Sequence, residues 1–229
     1  LFRAACLFSD AHRGPRDGVD LAASLAWNLH KVMGMTQQCA ALLLRDPSEL
    51  RGCFASDATY LFQPDKPYAA YDTGDLGFQC ARRVDALKAW LAWKLLGDEG
   101  MRQRVERSTS CARATGEEIE RRGKMRGWQL MAPPPFVSVC ARWVPPPLRD
   151  LGVHEWTPHQ RAWVHRLQSS MRTELARRGG GMRAAPRLSD GINCLRIIVM
   201  NPIVQHTDII QVLDELEAIG ESHASVDGP

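Results

Sequence analysis

The feature that most constrains the fold is an alternation of short, mainly apolar runs with longer amphipathic stretches. Three runs have the length and composition of β-strands, at residues 38–45, 136–144 and 193–200. Each is closely followed by a proline, which cannot continue a strand ladder. The segments between and after them carry apolar residues three to four apart, the spacing of a helix face. The resulting order predicts an α/β first part and a smaller α+β second part.

The first of these runs predicts a strand that is buried on both faces. Its residues from Cys39 to Leu44 are apolar without interruption. Such a run is typical of a strand that is covered from both sides rather than half-exposed. A short helix is predicted after it, from the turn at Asp46 and Pro47 through Arg51.

Four longer helices are predicted, at residues 82–107, 108–122, 157–178 and from about residue 207 to residue 220. The last has an N-cap at Thr207, an acidic first turn and a C-terminal cap at Gly220. The first carries an apolar stripe of Val84, Leu87, Leu91 and Leu95. Trp90 and Trp93 lie beside this stripe, and they predict core or interface packing rather than a ligand-binding box.

Composition excludes several classes of protein. The chain has 229 residues, 45% of them apolar, and a net charge of +3. It can form one large domain or two modest ones, and its charge gives no ground for a nucleic-acid or membrane partner. The pairs Arg82-Arg83, Arg121-Arg122 and Arg177-Arg178 are interpreted as solvated helix faces. No apolar stretch is long enough to span a membrane, and no signal peptide opens the chain.

The cysteines favour a reduced, cytoplasmic protein without a metal site. Seven cysteines are widely spaced, with no Cys-x-x-Cys pair. An odd number at such spacing predicts free thiols rather than a disulfide framework or a zinc site. His154, His159 and His165 cluster loosely, but no Cys or carboxylate stands at ligand spacing beside them.

A candidate catalytic lysine follows a segment of small residues. Lys31 ends the tetrapeptide Asn28-Leu29-His30-Lys31, just before the first strand-like run. A lysine amine can bind an aldehyde cofactor covalently, and Asn and His can donate hydrogen bonds to its phosphate. On these four residues alone, an ordinary surface lysine after a turn is the favoured interpretation, and the sequence downstream is what overturns it.

Residues 54–75 predict a long functional loop. The segment contains prolines and Asp72-Thr73-Gly74, and it shows no helical or strand period. Long structureless loops are uncommon in compact domains and are usually functional or disordered. The aromatic residues of this segment favour function, because disordered linkers are poor in them.

Taken together, these segments resemble the group II decarboxylases that depend on pyridoxal phosphate (PLP), in the branch of glutamate decarboxylase and cysteine sulfinate decarboxylase. The matching residues run in order along the chain: Ala26–Lys31, Gln38–Leu43, Tyr60–Lys66, Tyr71–Asp75, Gln79-Cys80, Arg83–Asp85, Lys88–Leu91 and Asn193–Arg196. The resemblance implies the type I fold of PLP-dependent transferases. Residues 1–90 would form the C-terminal part of the PLP-binding large domain, and residues 91–229 the small C-terminal domain.

The resemblance also implies roles for individual residues. Lys31 is similar to the lysine that binds PLP covalently, with Asn28 and His30 beside the phosphate. Tyr60 falls on the mobile catalytic loop of the family, where a tyrosine supplies a proton after carbon dioxide leaves. Arg196 matches the arginine that binds the α-carboxylate of the substrate. Packing for Tyr60 and a strand-edge salt bridge for Arg196 are the alternatives.

Several positions depart from the family pattern. Leu29 replaces a proline, Ala81 replaces a glycine, and residues 183–186 replace a Gly-Tyr-Gln-Pro. The aspartate that pairs with the pyridine nitrogen would fall just before Leu1, so the chain is expected to be a C-terminal fragment with little activity alone.

Two functions follow from this resemblance. The first is decarboxylation of an acidic amino acid (glutamate, cysteine sulfinate or aspartate) by a full-length, homodimeric enzyme. The second is an inactive paralogue that acts only as a dimerising partner.

Overall fold

The computed structural model describes residues 3–12, 17–56, 58, 60, 63, 65–79, 81–180 and 186–226. Its strands are β1 (Ser24–Trp27), β2 (Ala41–Leu44), β3 (Trp128–Leu130), β4 (Ser138–Trp143) and β5 (Leu195–Ile198). Its helices are α1 (Ser48–Phe54), α2 (Asp85–Arg122), α3 (Pro158–Arg177) and α4 (His206–Val226). This composition confirms the predicted α/β class. No helix within the described ranges is long and apolar enough to cross a membrane.

The chain divides into two compact units, Leu1–Val105 and Glu106–Pro229. The division falls within α2, so this helix contributes residues to both units. The expected division into domains at residues 1–90 and 91–229 stays a prediction.

The first unit contains a two-stranded antiparallel sheet. β1 pairs with β2 in the register Ser24 with Leu44 and Trp27 with Ala41. The prediction that the run at residues 38–45 forms a strand buried on both faces is wrong for this structure, because Leu42 and Leu43 of β2 are about half-exposed. β2 pairs with β1 along one edge, and the described residues leave the side chains of Leu42 and Leu43 partly open to solvent.

An aromatic cluster forms part of the core of the first unit. The ring centroids of Trp27 and Phe8 are 5.6 Å apart, and the ring of Trp93 lies 5.1 Å from that of Phe8. Trp93 also donates a hydrogen bond of 2.7 Å to the Asp98 carboxylate. Trp93 is therefore half-buried and packs against other aromatic rings. Trp90 points to solvent instead, with the Lys94 ammonium 5.9 Å from its ring centroid.

The apolar stripe of α2 is exposed rather than buried. Leu87, Leu91 and Leu95 are 50–83% exposed, and Val84, which stands just before the helix, is 73% exposed. Periodicity identified the helix but not what covers the apolar side.

α2 also breaks at a different position from the predicted one. The sequence predicted two helices that meet between residues 107 and 108, whereas the helical backbone is interrupted at Gly97. Gly97 has φ 63° and ψ −179°, a conformation that residues with a Cβ rarely adopt. The glycine is the physical reason for the break.

The second unit is built on a three-stranded antiparallel sheet in the order β3-β4-β5. One face carries Val139, Ala141 and Trp143 of β4 and Leu195 and Ile197 of β5, all of them buried in the core. Residues of α2, α3 and α4 complete this core: Ala112, Ile119, Leu167, Met171, Leu175, Ile209, Leu213, Leu216 and Ile219. Because side chains alternate along a strand, Ser138, Cys140 and Arg196 lie on the opposite face.

The helices of the second unit confirm some predicted ends and correct others. α3 begins with a capping box, in which the Thr157 hydroxyl accepts from the backbone N–H of Gln160, and the Gln160 side chain accepts from that of Thr157. α4 begins at His206 and continues beyond Gly220, so Thr207 lies inside the helix and both predicted caps, Thr207 and Gly220, are wrong. A Cβ at Gly220 would come within 2.7 Å of the Trp143 ring. This glycine is therefore explained by close packing of α4 on β4.

The position of Arg122 contradicts the prediction that all three arginine pairs lie on solvated helix faces. Arg121 is exposed, but Arg122 is only 2% exposed. Its guanidinium donates to Glu118 at 2.8 Å and to Glu217 at 2.7 Å. Glu217 also accepts a hydrogen bond of 2.6 Å from the Trp128 indole. A buried charge with such partners links α2, β3 and α4 across the core.

Candidate functional site

The predicted cofactor lysine lies in a tight turn directly after β1. The backbone N–H of Lys31 donates to Asn28 at 3.2 Å, and the N–H of Gly34 donates back to Lys31 at 2.8 Å. A further bond of 3.3 Å runs from the Met35 N–H to the Leu29 carbonyl. These hydrogen bonds fix the backbone of the turn, so the Cα from which the Lys31 side chain extends has a defined position.

Burial alternates through this turn and sorts apolar from polar side chains. Leu29, Val32 and Met33 are buried, with Leu29 5% exposed. Asn28, His30 and Lys31 are half-buried. The apolar residues therefore anchor the turn in the core, while the three polar residues remain accessible to a ligand. Asn28, His30 and Lys31 are the predicted site residues that the structure brings together.

His30 is oriented by the segment that leads into β2. Its Nδ1 lies 2.7 Å from the Cys39 carbonyl oxygen and 3.3 Å from the Cys39 backbone nitrogen, and its own backbone N–H donates to that oxygen at 3.0 Å. With Nδ1 used in this way, Nε2 is the ring atom that can face a ligand.

Three contacts from α2 hold the turn and its flanking segment, and the sequence analysis did not predict them. Arg104 donates to the Met33 carbonyl at 2.8 Å, and Lys88 donates to the Gln38 carbonyl at 2.8 Å. The Cys39 thiol lies 3.5 Å from the Asp85 carbonyl. Burial, followed by the charge of Asp85, raises the pKa of the Cys39 thiol, so this cysteine stays neutral. A separation of up to 71 residues in the chain gives no local signal for such contacts.

The loop predicted at residues 54–75 is closed at its base by a buried carboxylate. Asp75 is 6% exposed and accepts a hydrogen bond of 3.3 Å from the Ser56 backbone. Its second oxygen lies 3.5 Å from the Arg51 guanidinium of α1. Tyr60 lies between these ends and is 80% exposed. The described part of the loop therefore has a fixed base and an accessible tyrosine; the sequence analysis did not single out Asp75.

Arg196 lies on β5, on the sheet face opposite the core. Its Nε donates to the Ser138 hydroxyl at 2.9 Å, which orients the guanidinium from the neighbouring strand. The side chain is half-buried. Arg196 belongs to the second unit, whereas Lys31 and Tyr60 belong to the first. The role proposed for Arg196 is therefore argued from the groups around Arg196 itself.

Two departures from the family pattern have a simple structural account. Leu29, which stands where the family has a proline, occupies a core position and is held there by packing. Ala81 is exposed, so its methyl group has room here. Of residues 183–186, only Pro186 lies within the described part of the chain.

Comparisons with known proteins identify the family and several relatives of the chain. The pyridoxal-dependent decarboxylase conserved domain matches residues 4–144. The chain is 41% identical over 217 residues to the cysteine sulfinic acid decarboxylase of Mus musculus, covering 94% of this chain and 43% of that protein. It is 36% identical over 219 residues to the acidic amino acid decarboxylase GADL1 of Bos taurus, covering 95% and 41%.

Solved structures show the same fold. The crystal structure of mouse CSAD matches 95% of this chain and 44% of its own, with a TM-score of 0.83 and 37% identity. The Oryza sativa TDC structure with PLP and tryptamine matches with a TM-score of 0.76 at 20% identity, a likeness of fold alone. The chain thus spans about two fifths of the length of the curated relatives described above.

Proposed function

Because the chain belongs to the pyridoxal-dependent decarboxylase family, in the branch of the acidic amino acid decarboxylases, we propose that the full-length protein that contains it removes the α-carboxylate of an acidic amino acid as carbon dioxide. The observation that carries the proposal is the Lys31 turn. Its backbone is fixed by hydrogen bonds and by buried Leu29 and Val32, while its amine-bearing side chain stays half-buried.

The residues of this turn fit the cofactor that the family uses. Lys31 offers a primary amine for covalent attachment. Asn28 offers a donor for a phosphate, as does His30 when its Nε2 carries a proton. When bound, PLP would supply a conjugated ring that takes up the electron pair left by the departing carboxylate.

Arg196 is proposed to bind the α-carboxylate of the substrate. Its Nε is used by Ser138, and this contact leaves the terminal nitrogens of the guanidinium for a carboxylate. A planar, permanently charged fork suits this role better than a lysine would.

Tyr60 is proposed to deliver the proton that replaces the lost carboxylate. A phenol on a loop with a fixed base can move towards a substrate without displacing the rest of the structure. The Asp75 contacts with Ser56 and Arg51 keep that base closed.

The test of the proposal begins with cofactor binding to the full-length protein. We expect a visible absorbance band on adding PLP, and, after borohydride reduction, a phosphopyridoxyl mass on the peptide that contains Lys31. Lys31→Ala abolishes both signals, whereas Lys124→Ala, a change at an exposed lysine of the second unit, leaves them intact. A band and a mass label that survive Lys31→Ala would contradict the assignment.

Turnover is then measured as carbon dioxide release from cysteine sulfinate, aspartate and glutamate. The relatives named above support cysteine sulfinate as one of the substrates. Tyr60→Phe is expected to lower kcat about 100-fold or more, the usual contribution of a positioned proton donor. A protein that binds PLP at Lys31 but releases carbon dioxide from none of the three would instead be the inactive paralogue.

A further inference from the structure

An open cleft of about 490 Å³ lies between α3 and the turn that leads into β5. Its volume is within the range of small-molecule sites. Arg161 and His165 are four residues apart on α3 and so share one face of the helix, and Arg166 follows directly. Arg187 and Asp190 line the cleft from the turn. These ionisable side chains therefore line one cavity, and none of them has a role in the proposed decarboxylation.

The turn that carries Arg187 and Asp190 is held by backbone hydrogen bonds. The N–H of Gly191 donates to the Leu188 carbonyl at 2.9 Å, and the N–H of Leu188 donates to the Ile192 carbonyl at 3.0 Å. Gly191 has φ 79°, in the left-handed region that favours glycine. The Nε of Arg187 donates to the Gly191 carbonyl at 2.9 Å. The turn therefore orients the Arg187 guanidinium at the edge of the cleft.

Arg161 is oriented by contacts with neutral groups. One terminal nitrogen of its guanidinium donates to the Val153 carbonyl at 2.8 Å, and the other donates to the backbone carbonyl of Asp190 at 2.6 Å. A carbonyl oxygen carries no net charge, so these contacts hold the guanidinium in place without neutralising it. Arg161 also joins α3 to the turn on the other side of the cleft.

The carboxylate of the cleft is already occupied by protein groups. One oxygen of Asp190 accepts from the Ile192 backbone N–H at 2.9 Å, and the other accepts from Arg142 of β4 at 2.7 Å. The Arg142 side chain is only 1% exposed, so this partner lies behind the wall of the cleft. The negative charge of Asp190 is therefore balanced by Arg142 rather than by the arginines that line the cleft.

The cleft has an excess of positive charge. Within the described ranges, Arg161, Arg166 and Arg187 form no ion pair with Asp or Glu. An arginine near the end of α3 differs, because Arg177 pairs with Glu174 at 3.6 Å. Three cations that face one cavity repel each other, and an anion in the cavity would relieve this repulsion.

His165 has a ring nitrogen whose partner the described residues do not supply. Its Nδ1 is buried and has no hydrogen-bond partner in that part of the chain. Buried polar atoms nearly always have a partner, which is a ligand or an ordered water where the protein offers none. No protein contact at Nδ1 fixes the tautomer of the ring. His165 is therefore a second, independent indication of a ligand in this cleft.

We propose that the cleft binds a phosphoryl dianion, either free phosphate or the monoester of a small metabolite. A phosphoryl group carries nearly two negative charges at neutral pH and has several strong acceptor oxygens. Arginine forks suit such oxygens, and three of them line this cavity. The first turn of α3, which begins beside the cleft at Pro158, adds the positive end of the helix dipole. The inference does not rest on the proposed decarboxylation, because none of these residues belongs to the Lys31 turn.

Binding is tested by calorimetric titration of the full-length protein at pH 7.5 and low salt. The probes are inorganic phosphate, glucose 6-phosphate and glucose 6-sulfate. We expect saturable binding of a phosphoryl probe, and the tighter of the two identifies the source. A phosphate monoester is mainly a dianion at this pH, since its second pKa is about 6. The sulfate ester carries one negative charge, so it should bind at least about tenfold more weakly than glucose 6-phosphate.

Substitutions then locate the site. Arg166→Gln and Arg187→Gln should each weaken binding of the tighter phosphoryl probe about tenfold at low salt, because each removes a charged donor. Both positions are exposed, so the melting temperature without ligand should not change. Arg177→Gln is the matched control, since it removes an exposed arginine of the same helix outside the cleft, and it should leave the affinity unchanged. Lys31→Ala should also leave it unchanged, which separates this site from the proposed cofactor turn.

Four results would overturn the proposal. They are the absence of saturable binding by both phosphoryl probes, equal affinity for the phosphate and sulfate esters, an unchanged affinity in both Arg166→Gln and Arg187→Gln, and an equal loss in Arg177→Gln.

Discussion

At the scale of single residues, Arg122 shows how a charge can be held in a core. Its guanidinium has carboxylate partners on two helices, Glu118 of α2 and Glu217 of α4. Arg126 pairs with Glu217 as well, so the carboxylates are shared among several cations. Such a group adds little net stability when complete, but removing one partner leaves buried charge without compensation.

We therefore expect Arg122→Met to destabilise the protein by about 3 kcal/mol or more, the usual cost of breaking a buried ion pair. The methionine fills much of the volume, so the loss reflects Glu118 and Glu217 left behind in the core. Urea unfolding of the full-length protein, followed by tryptophan fluorescence, measures the change.

The neighbouring arginine is a matched control. Arg121 also pairs with Glu118, but its side chain is 68% exposed, so Arg121→Met should cost less than about 1 kcal/mol. The hydrogen bond from Arg121, together with Arg122, holds the pKa of Glu118 at about 2. The contribution of this carboxylate is thus complete above pH 4.5 and lost as the pH falls towards 2. Equal effects of the two substitutions at pH 7 would contradict a buried network.

At the scale of elements, the sequence predicted where helices and strands lie better than how they end. β4 and β5 fall inside the predicted runs, because short, mainly apolar segments that end at a proline leave few alternatives. β3 was missed because its three residues are too short to show a period. The break at Gly97 had a signal, a glycine inside a helical pattern, whereas the passage of α4 through Gly220 depends on Trp143, a distant residue.

Gly220→Ala is predicted to lower stability despite the better helix propensity of alanine. The added Cβ would stand 2.7 Å from the Trp143 ring, so α4 or the indole must shift, at a cost of about 1–3 kcal/mol. Thermal unfolding of the full-length protein checks the sign and size.

Gly52→Ala in α1 provides the comparison. No atom lies within 4 Å of a Cβ built there, and the position is exposed. The same substitution should raise stability there by about 0.5–1 kcal/mol through propensity. A stabilising effect at both glycines would show that contact with Trp143 is not what requires Gly220.

At the scale of the whole molecule, motifs in the sequence propose the candidate site residues, but the contacts that hold these residues in place could not be predicted. The Asn28–Lys31 segment, Tyr60 and Arg196 each stand in a motif that a reader can match. The contacts of Arg104 with Met33 and of Asp75 with Ser56 join residues far apart in the chain, and a single sequence carries no signal for them. The exposed apolar residues of β2 and α2 show that hydrophobic periodicity identifies an apolar surface but not the residues that cover it.

The exposed stripe of α2 leads to a proposal about assembly. Leu87, Leu91 and Leu95 form a row of apolar side chains on α2, with Val84 just before the helix and exposed Trp90 beside them. Contiguous apolar surface of this kind marks an interface in a soluble protein. We propose that the full-length protein is a homodimer and that this row packs against the second copy.

Leu91→Glu is then expected to raise the dimer dissociation constant at least about tenfold, since a charge in an apolar contact costs more than 1.4 kcal/mol. Sedimentation velocity over a range of concentrations measures the equilibrium. Leu21→Glu introduces the same charge at a leucine that is 78% exposed on a different segment, and it should leave the equilibrium unchanged. A Leu91→Glu protein that stays dimeric but melts at a lower temperature would show that another part of the same chain covers the row, and the proposal would fail.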